Sequence, residues 1–330
     1  MNRNEGNAFR YDGSARGHYE SYFQRANHPT RPLAFWIRYT LFSPKGRPAD
    51  AVGELWAIHF DGERKAITAV KEVLPLARCE FWRHGLRARI GDAQLDERTL
   101  RGSASALGHT VAWDLSYTSP EAPLLLISER LYAGSFPKAK MLVGAPLARF
   151  NGSVVVDGES LAIEDWVGSQ NHNWGSQHTD EYAWAQVAGF DDSPASFLEL
   201  GRGRIKVGPL WTPWVSPAVL RHEGRQYNFN SLLVGVRARG HYSYCSFEFR
   251  TQNEEATLEG RIYAPPELFV GLPYDNPPGG RKTCLNTKLA RAEVTLTPKR
   301  GAPVRLATES RAALEILTDN HDHGVPVLAV

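Results

Sequence analysis

Short apolar stretches that alternate with polar residues, divided by Pro, Gly and Asp, recur along the whole chain and constrain its fold more than any other feature. In residues 34–42 the odd positions are apolar, whereas Arg38 and Thr40 occupy even positions, which predicts a strand with one buried face. The same pattern predicts strands over residues 53–60, 66–73, 80–83, 86–90, 100–106, 110–117, 124–127 and 154–156, and then over 182–190, 196–206, 218–220, 227–236, 242–250, 256–262 and 290–296. Strands at a spacing near ten residues, with turn signals between them, indicate an antiparallel barrel or sandwich.

Helical signals are weak by comparison. Residues 137–145 and 309–317 are the best candidates, each for a helix of two or three turns, and the Pro-rich residues 264–280 are predicted to form a loop that could lie across a barrel mouth. Two all-β halves of about 150 residues would fit the length of 330 residues, with a junction near Gly175.

Composition excludes several classes of protein. Apolar residues at 42% and charged residues at 22% are globular values, and the net charge of +2 includes no concentrated basic patch, so we expect no nucleic-acid partner. The three cysteines lack metal-type spacing and favour reduced thiols. The N-terminus has no hydrophobic signal core, and no stretch reaches the roughly 18 apolar residues of a membrane span, so we expect a cytoplasmic protein.

The densest chemistry lies in residues 164–190, which contain three of the nine tryptophans together with His172 and His178. Aromatic residues mixed with a few ionisable groups are typical of a pocket wall. The alternative is a polar loop between domains, with the tryptophans packed in two cores.

Sites of other kinds find little support. His172 and His178 are six residues apart and residues 321–323 read His-Asp-His, but neither group has a Cys partner or the His-Glu-x-x-His spacing, so we expect no metal site. The chain contains no Gly-x-Ser-x-Gly motif and no complete phosphate-binding loop, so we expect no nucleotide cofactor.

Acid chemistry in an apolar pocket remains open. A carboxyl group surrounded by aromatic side chains has a raised pKa, and it can then donate a proton at neutral pH. The ionisable residues near the aromatic cluster are Glu20, Asp165, His172, Asp180, Glu181 and Glu199. For each carboxylate the alternative is a solvated strand or turn residue, and for His172 it is a structural hydrogen bond.

Three segments resemble the tocopherol cyclase and carotenoid 1,2-hydratase-like superfamily. Glu20-Ser-Tyr-Phe23 and Gly53-Glu-Leu-Trp56 resemble its first strands, and His172-Asn-Trp174-Gly175 resembles its His-x-Trp-Gly segment, the most specific of the three. The resemblance implies an all-β fold of two lipocalin-like barrels in tandem. We expect a flexible arm over residues 1–18 and barrels over residues 19–176 and 177–330.

The resemblance also implies an apolar cavity for an isoprenoid or polyene, with His172 and Trp174 as catalytic residues. The Tyr-x-Asp of carotenoid hydratases falls at Phe197-Leu-Glu199, where Glu199 keeps an acid and Phe197 lacks the hydroxyl. Glu199 is therefore the candidate acid, and the predicted substrate wall comprises Tyr22, Trp36, Trp184 and Phe197.

The sequence thus predicts an enzyme without cofactor that protonates an alkene of a hydrophobic substrate, followed by cyclisation or hydration. A pericyclase that shapes a polyene, and a non-catalytic lipid carrier, remain as alternatives. Each of these functions needs the same hydrophobic small molecule, which a peripheral contact with a membrane could supply.

Overall fold

A computed structural model of the protein, which describes residues 1–328, divides the strands into two large antiparallel sheets. The 12 strands of the first sheet are β1 (His18–Asn27), β2 (Leu33–Ser43), β3 (Val52–Asp61), β4 (Ala66–Pro75), β5 (Cys79–Phe81), β6 (Arg87–Ile90), β7 (Ala93–Asp96), β8 (Thr99–Ala106), β9 (His109–Thr118), β10 (Leu124–Leu125), β11 (Ala139–Val156) and β12 (Glu159–Gly175). A small hairpin consists of β15 (Lys206–Val207) and β16 (Leu210–Trp211).

The second large sheet has ten strands. They are β13 (Glu181–Ala188), β14 (Phe197–Arg204), β17 (Ala218–His222), β18 (Arg225–Phe229), β19 (Arg239–Tyr242), β20 (Ser246–Gln252), β21 (Ala256–Tyr263), β22 (Val270–Asp275), β23 (Arg281–Pro298) and β24 (Val304–Thr318). Helices are short: α1 (Arg3–Gly6), α2 (Arg130–Ala133), α3 (Leu232–Arg237), and single 3-10 turns at Pro48–Asp50, Leu76–Arg78 and Pro266–Leu268. The predicted all-β class is confirmed.

The two sheets repeat one topology. In each, the first strand pairs with the last, so that β1 lies beside β12 and β13 beside β24, and in each a long hairpin (β11–β12, β23–β24) continues the sheet. Each sheet curves into a barrel-like shape around its own apolar core. Representative members of the first core are Phe35, Tyr39, Trp113, Phe150 and Trp166, and of the second Phe190, Leu220, Phe229, Phe247 and Leu314.

The two predicted helices are wrong. Residues 137–145 lead into β11, and residues 309–317 belong to β24. In β24, Leu314 packs into the second barrel, whereas Ala313 and Leu317 pack in the interface between the barrels. A strand that is buried on both faces has a nearly continuous apolar sequence, so the period-two signal disappears and helix-forming residues are tolerated.

The predicted polar face of residues 34–42 is also not exposed to solvent. Arg38 and Thr40 on β2 are buried, because this face of the first sheet packs against the second barrel. The Pro-rich loop prediction is wrong in part, since Val270–Asp275 forms β22 and pairs with β23.

The segment before β1 contacts the first barrel. Asn2 caps α1, the Tyr22 hydroxyl donates to the backbone oxygen of Asn7, and Phe9 stacks on Phe81 with ring centroids 4.8 Å apart. Residues 1–11, called the N-terminal arm below, therefore lie against the first barrel.

Candidate active site between the two barrels

The outer faces of β1, β2 and β3 in the first barrel pack against β22, β23 and β24 of the second. The apolar part of this interface is unusually aromatic and includes Phe23, Trp36, Trp56, Trp184 and Tyr274. Large aromatic side chains contribute much of the buried area in such contacts.

A cavity of about 190 Å³ lies in this interface. Its aromatic walls are Tyr19, Phe23, Trp36, Tyr182, Trp184 and Tyr274, and its ionisable or amide side chains include Arg38, Lys140, Asn173, His178 and Glu315. An apolar cavity with a small number of placed polar groups is the usual form of a small-molecule site.

Arg38 is the most unusual member of the cavity wall. Its side chain is buried, one Nη donates to Ser21 Oγ over 2.7 Å, and its Nε has no hydrogen-bond partner among the described residues. The guanidinium lies 4.7 Å from the ring centroid of Tyr274 and 5.8 Å from that of Trp36. Because arginine keeps its proton in proteins, the cavity contains a permanent positive charge.

His178 lies beside this charge. Its ring stacks on Tyr19 with centroids 4.0 Å apart and on Tyr274 at 5.7 Å. Burial lowers the pKa of His178 to about 3, and the positive charge of Arg38 contributes to this shift. The imidazole is therefore neutral at physiological pH.

Glu315 contributes a carboxylate to the wall, and its charge is balanced. Its Oε1 accepts from Lys288 Nζ over 2.8 Å and from Asn286 Nδ2 over 2.9 Å. Lys288 is fully buried, and burial lowers its pKa even though Glu315 opposes the shift. The Lys288 ammonium also lies over the rings of Trp36 and Trp184, at 5.7 and 5.5 Å from their centroids.

Glu199, the predicted acid, lies behind Trp184. Its Oε1 accepts from the Trp184 indole N–H over 2.7 Å and its Oε2 from Gln186 Nε2 over 2.8 Å. Burial raises the pKa of Glu199 to about 8, although both hydrogen bonds oppose the shift. Its carboxyl group therefore carries a proton at neutral pH but does not line the cavity.

Phe197, on the same face of β14 as Glu199, packs in a small apolar cluster outside the cavity wall. Trp36 and Trp184, by contrast, are both wall residues. The structure thus places two of the four predicted wall residues at the cavity.

A buried polar network continues from Glu199 across the interface. Gln186 accepts at Oε1 from Arg25 Nε over 2.8 Å and from Ser169 Oγ over 2.7 Å, and its Nε2 also donates to Asn171 Oδ1 over 2.9 Å. The Arg25 guanidinium further donates to the backbone oxygens of Gln186 and Arg311. A side chain of the first barrel therefore donates hydrogen bonds to backbone oxygens of the second barrel.

His172, the predicted catalytic histidine, lies on the other face of the first sheet and does not line the cavity. Its Nδ1 is 2.8 Å from the backbone oxygen of Gly6, and its Nε2 is 2.9 Å from Glu20 Oε1. Both ring nitrogens of His172 are therefore engaged in hydrogen bonds, one with the backbone of the N-terminal arm and one with Glu20 on β1. Glu20 also accepts from His18 Nε2 over 2.9 Å and from the backbone N–H groups of Arg10 and Tyr11.

Burial alone would raise the pKa of Glu20, but the hydrogen bonds from His172 and His18 outweigh it and lower that pKa. Tyr22 and Trp174 complete this cluster: their rings lie 4.3 and 4.5 Å from the His172 ring, centroid to centroid. His172, Trp174 and Tyr22 therefore attach the N-terminal arm to the first barrel.

Sequence reasoning missed Arg38, Asn173, His178 and Glu315 as wall residues. Two signals were available in the sequence. Arg38 follows Trp36 by two positions on a predicted strand, and Asn173 is the middle residue of His172-Asn-Trp174. Neither signal identifies an interface without knowledge of which sheet face the second barrel covers.

Within residues 1–328, no group of three or more His, Cys, Asp or Glu side chains is arranged to bind a metal ion. Nor does this part of the chain contain a helix with the length and apolar character needed to cross a membrane.

Comparisons with known proteins agree with this architecture. No family model matches the chain. An uncharacterized protein found in two strains of Mycobacterium tuberculosis is 24% identical over 296 residues, which cover 87% of this chain and 83% of that protein.

Among solved structures, kievitone hydratase from Nectria haematococca superposes with a TM-score of 0.58 at 11% identity, covering 96% of this chain and 98% of the hydratase. CghA superposes with a TM-score of 0.52 at 14% identity, covering 93% and 90%, and it has also been solved with Sch210972. At these identities the likeness establishes a shared two-barrel fold.

Proposed function

We propose that this protein is a hydratase or cyclase that acts on an unsaturated hydrophobic small molecule in the cavity between its two barrels. The observation that carries the proposal is the cavity itself, where aromatic walls meet a few polar groups in the interface between the barrels. Enzymes that share the fold, kievitone hydratase among them, support this class of reaction.

The size of the cavity limits the part of the substrate that reacts there. A cavity of about 190 Å³ is comparable to the roughly 150 Å³ engineered cavity that binds benzene. A ring-sized or folded unsaturated group fits inside, and a longer isoprenoid or polyene tail would extend through the mouth.

In the proposed reaction, Glu199 is the acid, since its carboxyl holds a proton at neutral pH, and the Trp184 indole has to move aside for that proton to reach a substrate in the cavity. Trp184 and Trp36 would hold the substrate, because aromatic faces attract a developing cation. The resemblance noted above also assigns catalytic roles to His172 and Trp174. Their side chains lie on the face of β12 opposite to the cavity, so they would act by positioning the neighbouring residues of that strand.

A pericyclase is the second candidate, and one observation favours it. The indole of Trp184 lies between Glu199 and the cavity, so no carboxyl acid is directly presented to the substrate except Glu315, which is paired with Lys288. A shaped cavity that aligns two reacting ends can lower the activation free energy without proton transfer. The reduction is about 7–11 kcal/mol in favourable systems.

Native mass spectrometry of freshly purified protein, followed by identification of any bound hydrophobic molecule, tests the proposal first. Turnover of that molecule would then be compared for the wild type, Glu199→Gln and Trp184→Ala. Loss of turnover in both variants supports acid catalysis, and loss only in Trp184→Ala supports the pericyclase. A molecule that binds and is returned unchanged by the wild type would contradict both and indicate a carrier.

We also propose that the substrate is collected from a membrane surface by the hairpin β15–β16. Val207 and Leu210 are 61% and 71% exposed, and Trp211 stacks near Arg204 at 4.3 Å. Exposed apolar residues beside basic ones suit an anionic lipid surface. When phosphatidylserine vesicles are sedimented, the wild type should be found in the pellet with them and a Leu210→Ser variant should stay in the supernatant. Equal amounts of both proteins in the pellet would contradict this role.

A further inference from the structure

Three residues of the cavity wall carry a buried polar atom without a protein partner within residues 1–328. Among the described residues, Arg38 Nε, Trp36 Nε1 and Asn173 Oδ1 are buried without a hydrogen-bond partner, and all three residues line the same cavity. Buried polar groups in folded proteins are nearly always paired, and each exception needs a reason. Three of the eight such atoms among the described residues belong to this one wall, which suits a site where a ligand completes them.

The guanidinium of Arg38 also has no carboxylate in direct contact among the described residues, although burial is opposed by the attraction of Tyr274, Glu54 and Glu315, and its pKa is raised. Glu54, on the neighbouring strand, is engaged at Oε1 by Lys71 over 2.9 Å and at Oε2 by the Trp56 indole over 3.1 Å. The carboxylate of Glu315 is engaged by Lys288. No salt bridge to Arg38 occurs among the described residues, so its guanidinium is a desolvated cation without a carboxylate partner.

The remaining ionisable groups of the wall do not neutralise this cation. His178 is a neutral imidazole, and burial raises the pKa of Tyr182 and of Tyr274 well above the ordinary tyrosine value, so both hydroxyls stay protonated. Lys140, whose Nζ donates to the backbone oxygen of Pro137 over 2.7 Å, and Arg202, which donates to Ser216 Oγ over 2.8 Å, add two more positive charges. The wall therefore presents donors and positive charge to whatever occupies the cavity.

We propose that the substrate carries an anionic oxygen, as a carboxylate or an enolate, which Arg38 and the Trp36 N–H bind inside the cavity. An isolated buried cation is costly unless it is paired, and charge-assisted hydrogen bonds from arginine to an oxyanion are among the strongest available. Asn173 Oδ1 then accepts a hydrogen bond from an O–H or N–H on the same ligand. This inference rests on the proposed function and specifies its substrate as a compact hydrophobic acid.

The test uses two probes of nearly equal shape, trans-cinnamate and its neutral isostere cinnamamide. Binding to the full-length wild type is measured at pH 7 by calorimetry and by quenching of tryptophan fluorescence. We expect cinnamate to bind at least about tenfold more tightly than cinnamamide, because a hydrogen bond to a charged group is worth about 1.5–3 kcal/mol and ~1.4 kcal/mol is a factor of ten.

Arg38→Met should weaken cinnamate binding by about tenfold and change cinnamamide binding by less than about twofold. Trp36→Phe keeps an aromatic ring but removes the N–H donor, and it should weaken cinnamate binding by a smaller factor. Arg149→Met is the control for net charge, since Arg149 pairs with Asp165 on the exposed side of the first barrel, and it should leave both probes unaffected.

Equal affinities of the two probes for the wild type, or a cinnamate affinity that Arg38→Met leaves unchanged, would overturn the role of Arg38 while leaving the cavity as a site for neutral ligands. Failure of both probes to bind the wild type would overturn the proposed cavity site as well. The wild-type comparison decides the question even if Arg38→Met does not fold.

Discussion

Consecutive residues of β12 lie in two different chemical environments. His172 faces the N-terminal arm, where both ring nitrogens and the carboxylate of Glu20 are fully hydrogen-bonded. Asn173, the next residue, faces the second barrel, where its Oδ1 and the neighbouring Arg38 Nε have no partner among the described residues. A polar cluster whose hydrogen bonds are all made stabilises the fold. Buried polar groups without partners are typical of a binding site, where they lower the free energy of unfolding of the ligand-free protein.

The first prediction tests the satisfied face and has the largest expected effect. Glu20→Gln should lower the free energy of unfolding by about 3–5 kcal/mol, because it breaks a buried pair and replaces the carboxylate that accepts hydrogen bonds from His172, His18 and two backbone N–H groups. The amide would also point an N–H at donors from His18 or the arm. Urea denaturation at pH 7 measures the change. A loss of turnover with unchanged stability would instead place Glu20 and His172 in the catalytic machinery.

The second prediction concerns the opposite face of the first sheet, where we expect a substitution to change the free energy of unfolding in the opposite direction. Arg38→Met should raise the free energy of unfolding of the ligand-free protein, by about 1–4 kcal/mol, because replacing buried charge by an apolar side chain of similar size often stabilises. The lost bond to Ser21 opposes this gain only in part. The same denaturation experiment applies, with Arg149→Met as the control. A clear destabilisation would mean that both faces of the sheet use their charges for folding.

The third prediction concerns Glu199, whose pKa is about 8 in the folded protein against 4.5 ordinarily. Between these values the folded state binds one proton more than the unfolded state, so the free energy of unfolding falls as pH rises. The fall should be about 1 kcal/mol between pH 7 and pH 8 and should end above pH 8. The range from pH 7 to pH 8 also avoids the titration of His178, whose lowered pKa changes the free energy of unfolding mainly below its ordinary value of 6.5.

Thermal or urea unfolding across this pH window, for the wild type and Glu199→Gln, measures the difference in slope. The variant should lose the pH-dependent part. An identical slope in both proteins would show that Glu199 is ionised in the folded state, and the acid assignment would then fail.

The fourth prediction is the smallest. Asn173→Ala should change the free energy of unfolding by no more than about 0.5 kcal/mol, since the amide oxygen has no protein partner to lose. A loss comparable to that of Glu20→Gln would mean that Asn173 has a structural partner, and the contrast between the faces of β12 would disappear.

The all-β class was predictable because alternation survives wherever one strand face is buried and the other is solvated. The pattern of 110–117 is an example, and it became β9, with Trp113 and Leu115 inside and Asp114 outside. Prediction failed for β11 and β24, where the other barrel covers the outer face of the strand and removes the polar positions.

The candidate site was harder to predict for the same reason. Trp36 and Trp184 were chosen as large aromatic residues and they line the cavity, but Arg38 was taken for a solvated position. The parity of a residue on its strand decides which face it joins, and the sequence does not reveal that the outer face is covered. His172 was chosen from a motif whose alternate residues, Asn171 and Asn173, point toward the second barrel.

Arg25 has a consequence for how such a chain could arise or be divided. Its guanidinium reaches from the first barrel to backbone oxygens of Gln186 and Arg311 and to the Gln186 amide. Expressed alone, the second barrel would expose these acceptors together with the apolar surface around Trp184, and the first would expose Arg25 beside Trp36. The two barrels therefore cover each other's apolar surface and hydrogen-bond each other's buried polar groups, so separating them would expose both.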